Sequence, residues 1–179
     1  MSDDVMASTP DTELSGTQLP LSLRWHDGVL QLLDQTRLPL EETVIHCRDI
    51  EKVFECIASL RVRGAPAIGV AAAYGLIVGL TSRVNIDTLE RRGQYLISAR
   101  PTAVNLPWAI NRMLEIARKQ SESEIDVSVL EAEARLIHRE DIKACRAIGQ
   151  FGLPIVRQNP RLLTHCNAGA LAVSESGTA

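Results

Sequence analysis

Apolar positions along this chain first alternate with polar ones and then recur at helical spacing. Residues 21–25 and 29–33 flank His26-Asp27-Gly28, and Asp-Gly between two short apolar runs predicts a β-hairpin. Leu38-Pro39 ends it, and the β-branched run 43–47 predicts a third short strand. The period then lengthens. Val53, Phe54, Ile57 and Leu60 fall on one face of a helix that Asp49 is suited to cap. Residues 65–80 form the longest apolar run, interrupted only by small residues such as Gly69 and Gly75. This predicts a buried, closely packed helix with Pro66 in its first turn, where a missing N–H is no loss.

Further along, Asp87 is placed to cap a third helix reaching Ala99, and Pro101 and Pro107 bracket a loop before a helix over 108–119. Leu130, Ala134, Ile137, Ala144 and Ile148 form the stripe of a long helix over 123–149. Gly149 and Gly152 stop it, with Pro154 preventing a restart. Residues 161–165 predict a buried strand running into Cys166-Asn167-Ala168-Gly169, as in the first βα unit of a parallel sheet. The expected fold class is α/β: an N-terminal β-hairpin plus helical bundle, followed by the first strand of a truncated Rossmann-like domain. The expected divisions are a disordered tail over 1–20, rich in Ser, Thr, Asp and Pro, a hairpin and helical domain over 21–155, and the start of a truncated domain over 156–179.

Composition narrows the function. Aromatics make up 3% of the chain, so Ala, Leu, Ile and Val must build the core. A net charge of -3 argues against nucleic acid as the main partner. The cysteines Cys47, Cys56, Cys145 and Cys166 show no CxxC spacing. That argues against a metal cluster or disulfide framework and for a reducing cytoplasm. The first 20 residues lack the apolar stretch of a secretory signal, and the run 65–80 is short for a bilayer.

Three segments carry candidate chemistry. Arg63 precedes a helix N-terminus, where Gly64 lets a ligand approach the backbone and the N–H groups of Gly64, Ala65 and Ala67 stand free. Guanidinium and oriented donors together make a phosphate seat; the alternative is an exposed arginine in a tight turn between helices. Arg100 precedes Pro101, so its backbone is extended and its side chain can leave the helix axis, unless it simply answers the helix dipole. Cys166 follows a strand, where open α/β sheets place ligand sites, and a following helix N-terminus would favour its thiolate; the alternative is a structural thiol. His165 is a poor partner for Cys166, because neighbours on a strand face opposite ways. Cys47, Cys56 and Cys145 read as packing residues, and Asp141, which interrupts the long stripe, as a polar anchor or a solvent boundary.

These segments resemble a known family. Trp25-His26-Asp27-Gly28, residues 33–39, residues 62–75, Arg100-Pro101-Thr102-Ala103-Val104-Asn105-Leu106 and residues 165–172 look like the methylthioribose-1-phosphate isomerases of methionine salvage, in register from about residue 21 onward. The resemblance implies conversion of 5-methylthioribose 1-phosphate to 5-methylthioribulose 1-phosphate by a cytoplasmic homodimer, without cofactor or metal. It implies that Arg63, Gly64, Ala65 and Arg100 bind the small sugar-phosphate substrate and that Cys166 is catalytic. Related readings are a ribose-1,5-bisphosphate isomerase and a non-catalytic regulatory subunit like those of initiation factor 2B. Family members continue for a further domain, so this chain is expected to be inactive alone, with an uncovered strand over 161–165. Glu175 and Ser176 stand where the family has Gly and Tyr, and Glu175 is expected to bring negative charge to the phosphate loop.

Overall fold

The computed structural model describes residues 21–120, 123–156 and 161–177. The tail expected over 1–20 lies outside them. The hairpin forms as the Asp-Gly signal requires: β1 (Leu23–His26) pairs antiparallel with β2 (Val29–Leu33) across Asp27-Gly28, both with positive φ. Leu23 and Trp25 face inward and Arg24 and His26 outward, the period-2 pattern of a half-covered strand. β3 (Val44–Cys47) pairs with the other edge of β2.

α1 (Ile50–Ala58) begins where Asp49 accepts from the Lys52 N–H at 2.8 Å. It buries Val53 and Ile57 of the expected stripe, with Phe54 at the margin. Leu60 lies beyond the helix with φ 62, and the turn closes by Arg61 N–H donating to Cys56 C=O at 2.9 Å. α2 (Ala65–Ile77) follows, with Pro66 in its first turn as expected. Every residue from Ala67 to Ile77 is buried, so α2 has no polar face and forms the centre of the core. Its C-terminal carbonyls are held by Arg92, whose Nε donates to Leu76 C=O at 2.7 Å and whose Nη2 donates to Gly75 C=O at 3.3 Å and Val78 C=O at 2.5 Å.

The remaining helices correct several expectations. α3 (Ile86–Ala99) is capped by Asn85, which accepts from Thr88 N–H at 2.9 Å; Asp87 sits inside the first turn instead. Both are good caps by type, and register decides between them. Gly93 is buried on α3, where a Cβ would press within 2.7 Å of Ile110, so it serves close packing. α4 (Asn105–Gln120) starts earlier than residue 108 and includes Pro107, which a first turn tolerates because that N–H needs no intrahelical partner. A two-residue ladder the sequence does not announce joins β4 (Arg83–Val84) to β5 (Ile125–Asp126).

α5 (Val127–Gly152) starts after Asp126, which accepts from Ser128 N–H at 2.8 Å, rather than at 123. It runs through Gly149 to Gly152 before the turn Leu153–Ile155 ends it. Leu130, Ala134 and Ile137 are buried as expected, but Ala144 and Ile148 are exposed and Cys145 carries the seam. The stripe drifts because the end of α5 packs on a different partner. A large core spans β1 to the middle of α5, and a separate small cluster joins Cys145 to Ala172 and Val173. Arg112 ties α4 to α5 through Glu133 at 2.6 Å and Glu140 at 2.5 Å.

The expected strand over 161–165 is not formed. Those residues are exposed, with no ladder among the described residues. The apolar side chains Leu162 and Leu163 lack a surface to pair with, and strands form only in ladders.

Candidate functional site

The site begins with the loop between α1 and α2. Asp34 lies at the end of β2 with a side chain that is 2% exposed. It accepts from Thr36 Oγ1 at 2.6 Å, from Thr36 N–H at 3.1 Å and from Arg61 Nη1. Burial pushes the Asp34 carboxyl up, but the Thr36 and Arg61 hydrogen bonds outweigh it and hold it below its ordinary range. Arg61 also donates to Glu55 at 2.7 Å, and that guanidinium leads the interactions that hold Glu55 at about 2. Gln35 N–H donates to Arg61 C=O at 2.9 Å. The short segment before Arg63 is therefore fixed by charge and backbone together.

Arg63 itself is exposed, and among the described residues it has no hydrogen-bond or ion-pair partner. Gly64 caps α2 with φ 94 and contributes no side-chain cap, so the donors at the helix start are available to an anion. Gly64 serves a second purpose. A Cβ there would collide with the backbone and Cβ of Ala172. Five residues along α2, a Cβ on Gly69 would come within 3.0 Å of the Asn105 carbonyl oxygen. These two glycines bring the other candidate segments against the first turns of α2.

Arg100 ends α3 with φ -149 and ψ 84, out of the helical region as Pro101 requires but short of the extended ψ expected before a proline. Its N–H donates to Ile97 C=O at 3.3 Å and its C=O accepts from Ala103 N–H at 3.0 Å. The side chain is half-buried and, among the described residues, unpaired. Two guanidiniums without carboxylate partners thus stand at loops flanking α2, whereas Arg61, Arg92 and Arg112 are all engaged structurally.

Cys166 is exposed, with φ 69, in a loop ahead of the 3-10 turn Ala170–Ala172. Among the described residues neither Cys166 nor His165 is hydrogen-bonded; with no strand there, opposite faces no longer explain why the two do not pair. The loop's far end is anchored firmly. Gln35 Nε2 donates to Leu171 C=O at 2.7 Å, Ser22 Oγ donates to Val173 C=O, and Ser174 N–H donates to Asp141 Oδ2 at 2.8 Å. Asp141 is thus a polar anchor, the first of the two readings its position allowed. Glu175 pairs with Arg146 at 2.6 Å, which offsets the negative charge expected beside the loop. Cys47 and Cys56 are buried 3.9 Å apart, and Cys145 is buried beside Asp141, as packing residues are. Burial pushes the Cys145 thiol up, away from reactivity.

Sequence reasoning missed Gln35 and Ser22 as supports of the loop, and did not name the partner of Asp141. Each lies more than 30 residues from its partner, and no local pattern signals such a bond. No group of three or more metal-ligating side chains occurs among the described residues. No helix among them is long and apolar enough to cross a membrane.

A helix buried from Ala67 to Ile77, enclosed by a hairpin and four further helices, is a fold shared with known proteins. The chain belongs to the Initiation factor 2 subunit family, which matches residues 61–176. It is 47% identical to the methylthioribose-1-phosphate isomerase of Pelotomaculum thermopropionicum, over 88% of this chain and 46% of that protein. It is 43% identical to the Pseudomonas entomophila protein of the same name, over 93% and 49%. The crystal structure of 5-methylthioribose 1-phosphate isomerase from Pyrococcus horikoshii OT3 matches with a TM-score of 0.81 and 34% identity, over 90% of this chain and 47% of that one. The delta subunit of translation initiation factor eIF-2B from A. fulgidus matches with a TM-score of 0.71 and 37% identity, over 87% and 47%. The chain spans about half the length of the relatives it matches.

Proposed function

We propose that this chain carries the Arg63, Arg100 and Cys166 portion of an aldose–ketose isomerase that converts 5-methylthioribose 1-phosphate to 5-methylthioribulose 1-phosphate. The observation supporting it most is the seating of Ala172 on Gly64, which holds the loop that starts at Cys166 on the cap of α2, directly after Arg63. Arg63 and the N–H groups at the start of α2 bind the phosphate. Arg100 adds a second cation to the substrate. Cys166 lies near C1 and C2 of the sugar, where the hydrogen moves. The reaction is internally balanced: the bond from C1 to the ring oxygen breaks, C2 is oxidised from alcohol to ketone as C1 is reduced, the hydrogen lost from C2 is matched by one gained at C1, and the proton lost from the C2 hydroxyl by one gained at the former ring oxygen. No external redox partner is required.

The relatives are about twice as long, and turnover on this reading needs a further Rossmann-like domain, whose first segment is residues 156–179, behind a helical domain ending near 155. The exposed apolar side chains Phe151, Leu153, Ile155, Leu162 and Leu163 provide a surface for it. The same reading implies a cytoplasmic homodimer. To test it, this chain is joined to the C-terminal half of the Pelotomaculum relative, and ketose formation is followed by NMR. Turnover by the chimera, absent from the 179-residue chain, is the expected result; a folded chimera without turnover would refute the reading. The likeness to the A. fulgidus initiation-factor subunit supports a second, non-catalytic reading. It predicts sugar-phosphate binding by the chimera with no conversion. Ribose 1,5-bisphosphate serves as the competing substrate in both assays.

A further inference from the structure

Two buried thiols that the proposed chemistry does not use face each other. Cys47 ends β3 and Cys56 lies on α1, and their sulfurs are 3.9 Å apart. A disulfide brings two sulfurs to about 2 Å, so the pair is about 2 Å of closure from a bond. Both side chains are buried, but the cover over them is thin. Glu55 Oε2 is 3.7 Å from the Cys56 sulfur, and the Glu55 side chain is 39% exposed. A surface depression lined by His46, Arg48, Lys52 and Glu55 lies over the same junction of β3 and α1, with the thiols beneath it rather than in its lining. Local opening of the nine-residue helix α1 admits a water-sized oxidant to the sulfurs.

The two sulfurs are chemically unequal. The hydrogen bond with Cys56 leads the effects that hold the Cys47 thiol below its ordinary value, and Lys52 assists it against burial and the carboxylates of Asp49 and Glu55. The same hydrogen bond and burial push the Cys56 thiol up. Cys47 is thus the sulfur that ionises first, and Cys56 the one that keeps its proton. Cys56 also supports the turn leading to Arg63. Its C=O accepts from Arg61 N–H at 2.9 Å and from Val62 N–H at 3.3 Å, and its neighbour Glu55 accepts from Arg61 Nε at 2.7 Å.

We propose that Cys47 and Cys56 form a peroxide-sensitive dithiol, whose closure to a disulfide disturbs the turn leading to Arg63. The Cys47 thiolate attacks hydrogen peroxide: an S–O bond forms, the O–O bond breaks, and the departing hydroxide takes up the proton that Cys47 released. The Cys56 sulfur then attacks the sulfenic sulfur of Cys47: the S–S bond forms, the S–O bond breaks, and the second hydroxide leaves with the Cys56 proton. Two thiols and one peroxide give one disulfide and two waters. The sulfurs lose two electrons and the peroxide gains them. Closure draws Cys56 toward the end of β3, and the carbonyl that holds Arg61 and Val62 moves with it.

The test treats the full 179-residue chain with hydrogen peroxide, alkylates the remaining thiols and maps peptides without reduction. Trypsin cuts after Arg48 and Lys52, so Cys47 and Cys56 fall on separate peptides that only a disulfide joins. Cys166, which is exposed, reports the oxidant dose. The expected result is a Cys47–Cys56 link in the folded protein, formed after Cys166 has reacted and undone by dithiothreitol. Cys47→Ala and Cys56→Ala should each abolish it. In the linked protein the Arg61 and Val62 amides should exchange at least about fivefold faster. Two intact thiols after Cys166 is fully oxidised, a link that forms only in urea, or unchanged exchange at both amides would overturn the proposal. None of these outcomes depends on isomerase turnover, so this device and the proposed activity fail separately.

Discussion

The backbone of Ala172 occupies the space in which any side chain at position 64 would begin. Two segments separated by more than a hundred residues are thereby held in van der Waals contact at the cap of α2. Gly64→Ala meets two obstacles, the φ of 94 and the collision itself. A non-glycine residue held in such a conformation costs on the order of 1–3 kcal/mol before any clash. The expected outcome is a lower Tm together with faster proteolysis between Gln150 and Ala172, because relief comes most easily by releasing the loop. A variant as stable and as resistant as the parent would show that the contact is not tight.

The site roles separate by kinetics. In the chimera proposed above, Cys166→Ser is expected to lower kcat at least about a hundredfold with KM within a few fold, since the thiol acts where the hydrogen moves. Arg63→Ala and Arg100→Ala are expected to raise KM by about tenfold or more, each losing charge-assisted bonds to the substrate. Steady-state kinetics on the three variants decides the matter, and the opposite pattern would reverse the roles.

Asp34 and Arg61 fix the strand end and the loop that carries Arg63. Asp34→Ala removes a buried acceptor of three hydrogen bonds and leaves Arg61 with Glu55 alone. A loss of about 2 kcal/mol in urea unfolding is expected. If stability is unchanged, the loop is held by backbone bonds alone.

His138 makes stability depend on pH. Burial leads the effects that lower its pKa from the ordinary 6.5, and burial pushes its partner Tyr74 up to about 12, so a neutral hydroxyl and a neutral imidazole share their hydrogen bond at pH 7. The folded state therefore holds the proton more weakly than the unfolded chain. Its contribution is complete above the ordinary value and is lost as pH falls below it, toward the folded value. Thermal melts should show Tm falling between pH 7 and 5, before the carboxylates Asp34 and Glu55 protonate. His138→Gln should flatten that interval; an unchanged slope would assign it to other groups.

Hydrogen exchange should divide the C-terminal segment in two. The Ser174 amide donates to Asp141 and is expected to be protected, whereas the Leu162 and Leu163 amides, without ladder partners, should exchange quickly. Slow exchange at Leu163 would mean that a strand forms there after all.

What the sequence reveals tracks how local each cause is. Asp27-Gly28, Asp49 and Pro66 act within a few residues, and the hairpin, the first cap and the start of α2 follow from them. The start of α4 is less legible because Pro107 is compatible with both a loop and a first helical turn. Asn85 and Asp87 are equally good caps in isolation, and only the packing of Leu89 and Gly93 sets the register. The β4–β5 pair is two residues long on each side and has no period to detect. Cys145 displaces Ala144 from the seam because residues 172 and 173, distant in sequence, cover it. For the candidate site, the three segments are readable from residue type, but their convergence rests on Gly64 against Ala172 and Gly69 against Asn105. A glycine signals a close approach without saying to what. The strand over 161–165 has strand-like composition and no neighbour to pair with, and composition alone does not make a ladder.

Arg92 grips the last carbonyls of α2 while the opposite end of that helix presents Gly64 and Arg63. With Ala67 to Ile77 buried on all sides, α2 works as an axle clamped at its far end and enclosed along its length. The near end has no room to tilt or slide without opening the whole interior. On the proposed reading a ligand arriving at Arg63 meets a fixed post, whereas residues 161–169, which carry the thiol, are built into no helix or strand. On that reading, adaptation to substrate falls to one partner of the Gly64–Ala172 contact, and reference geometry to the other.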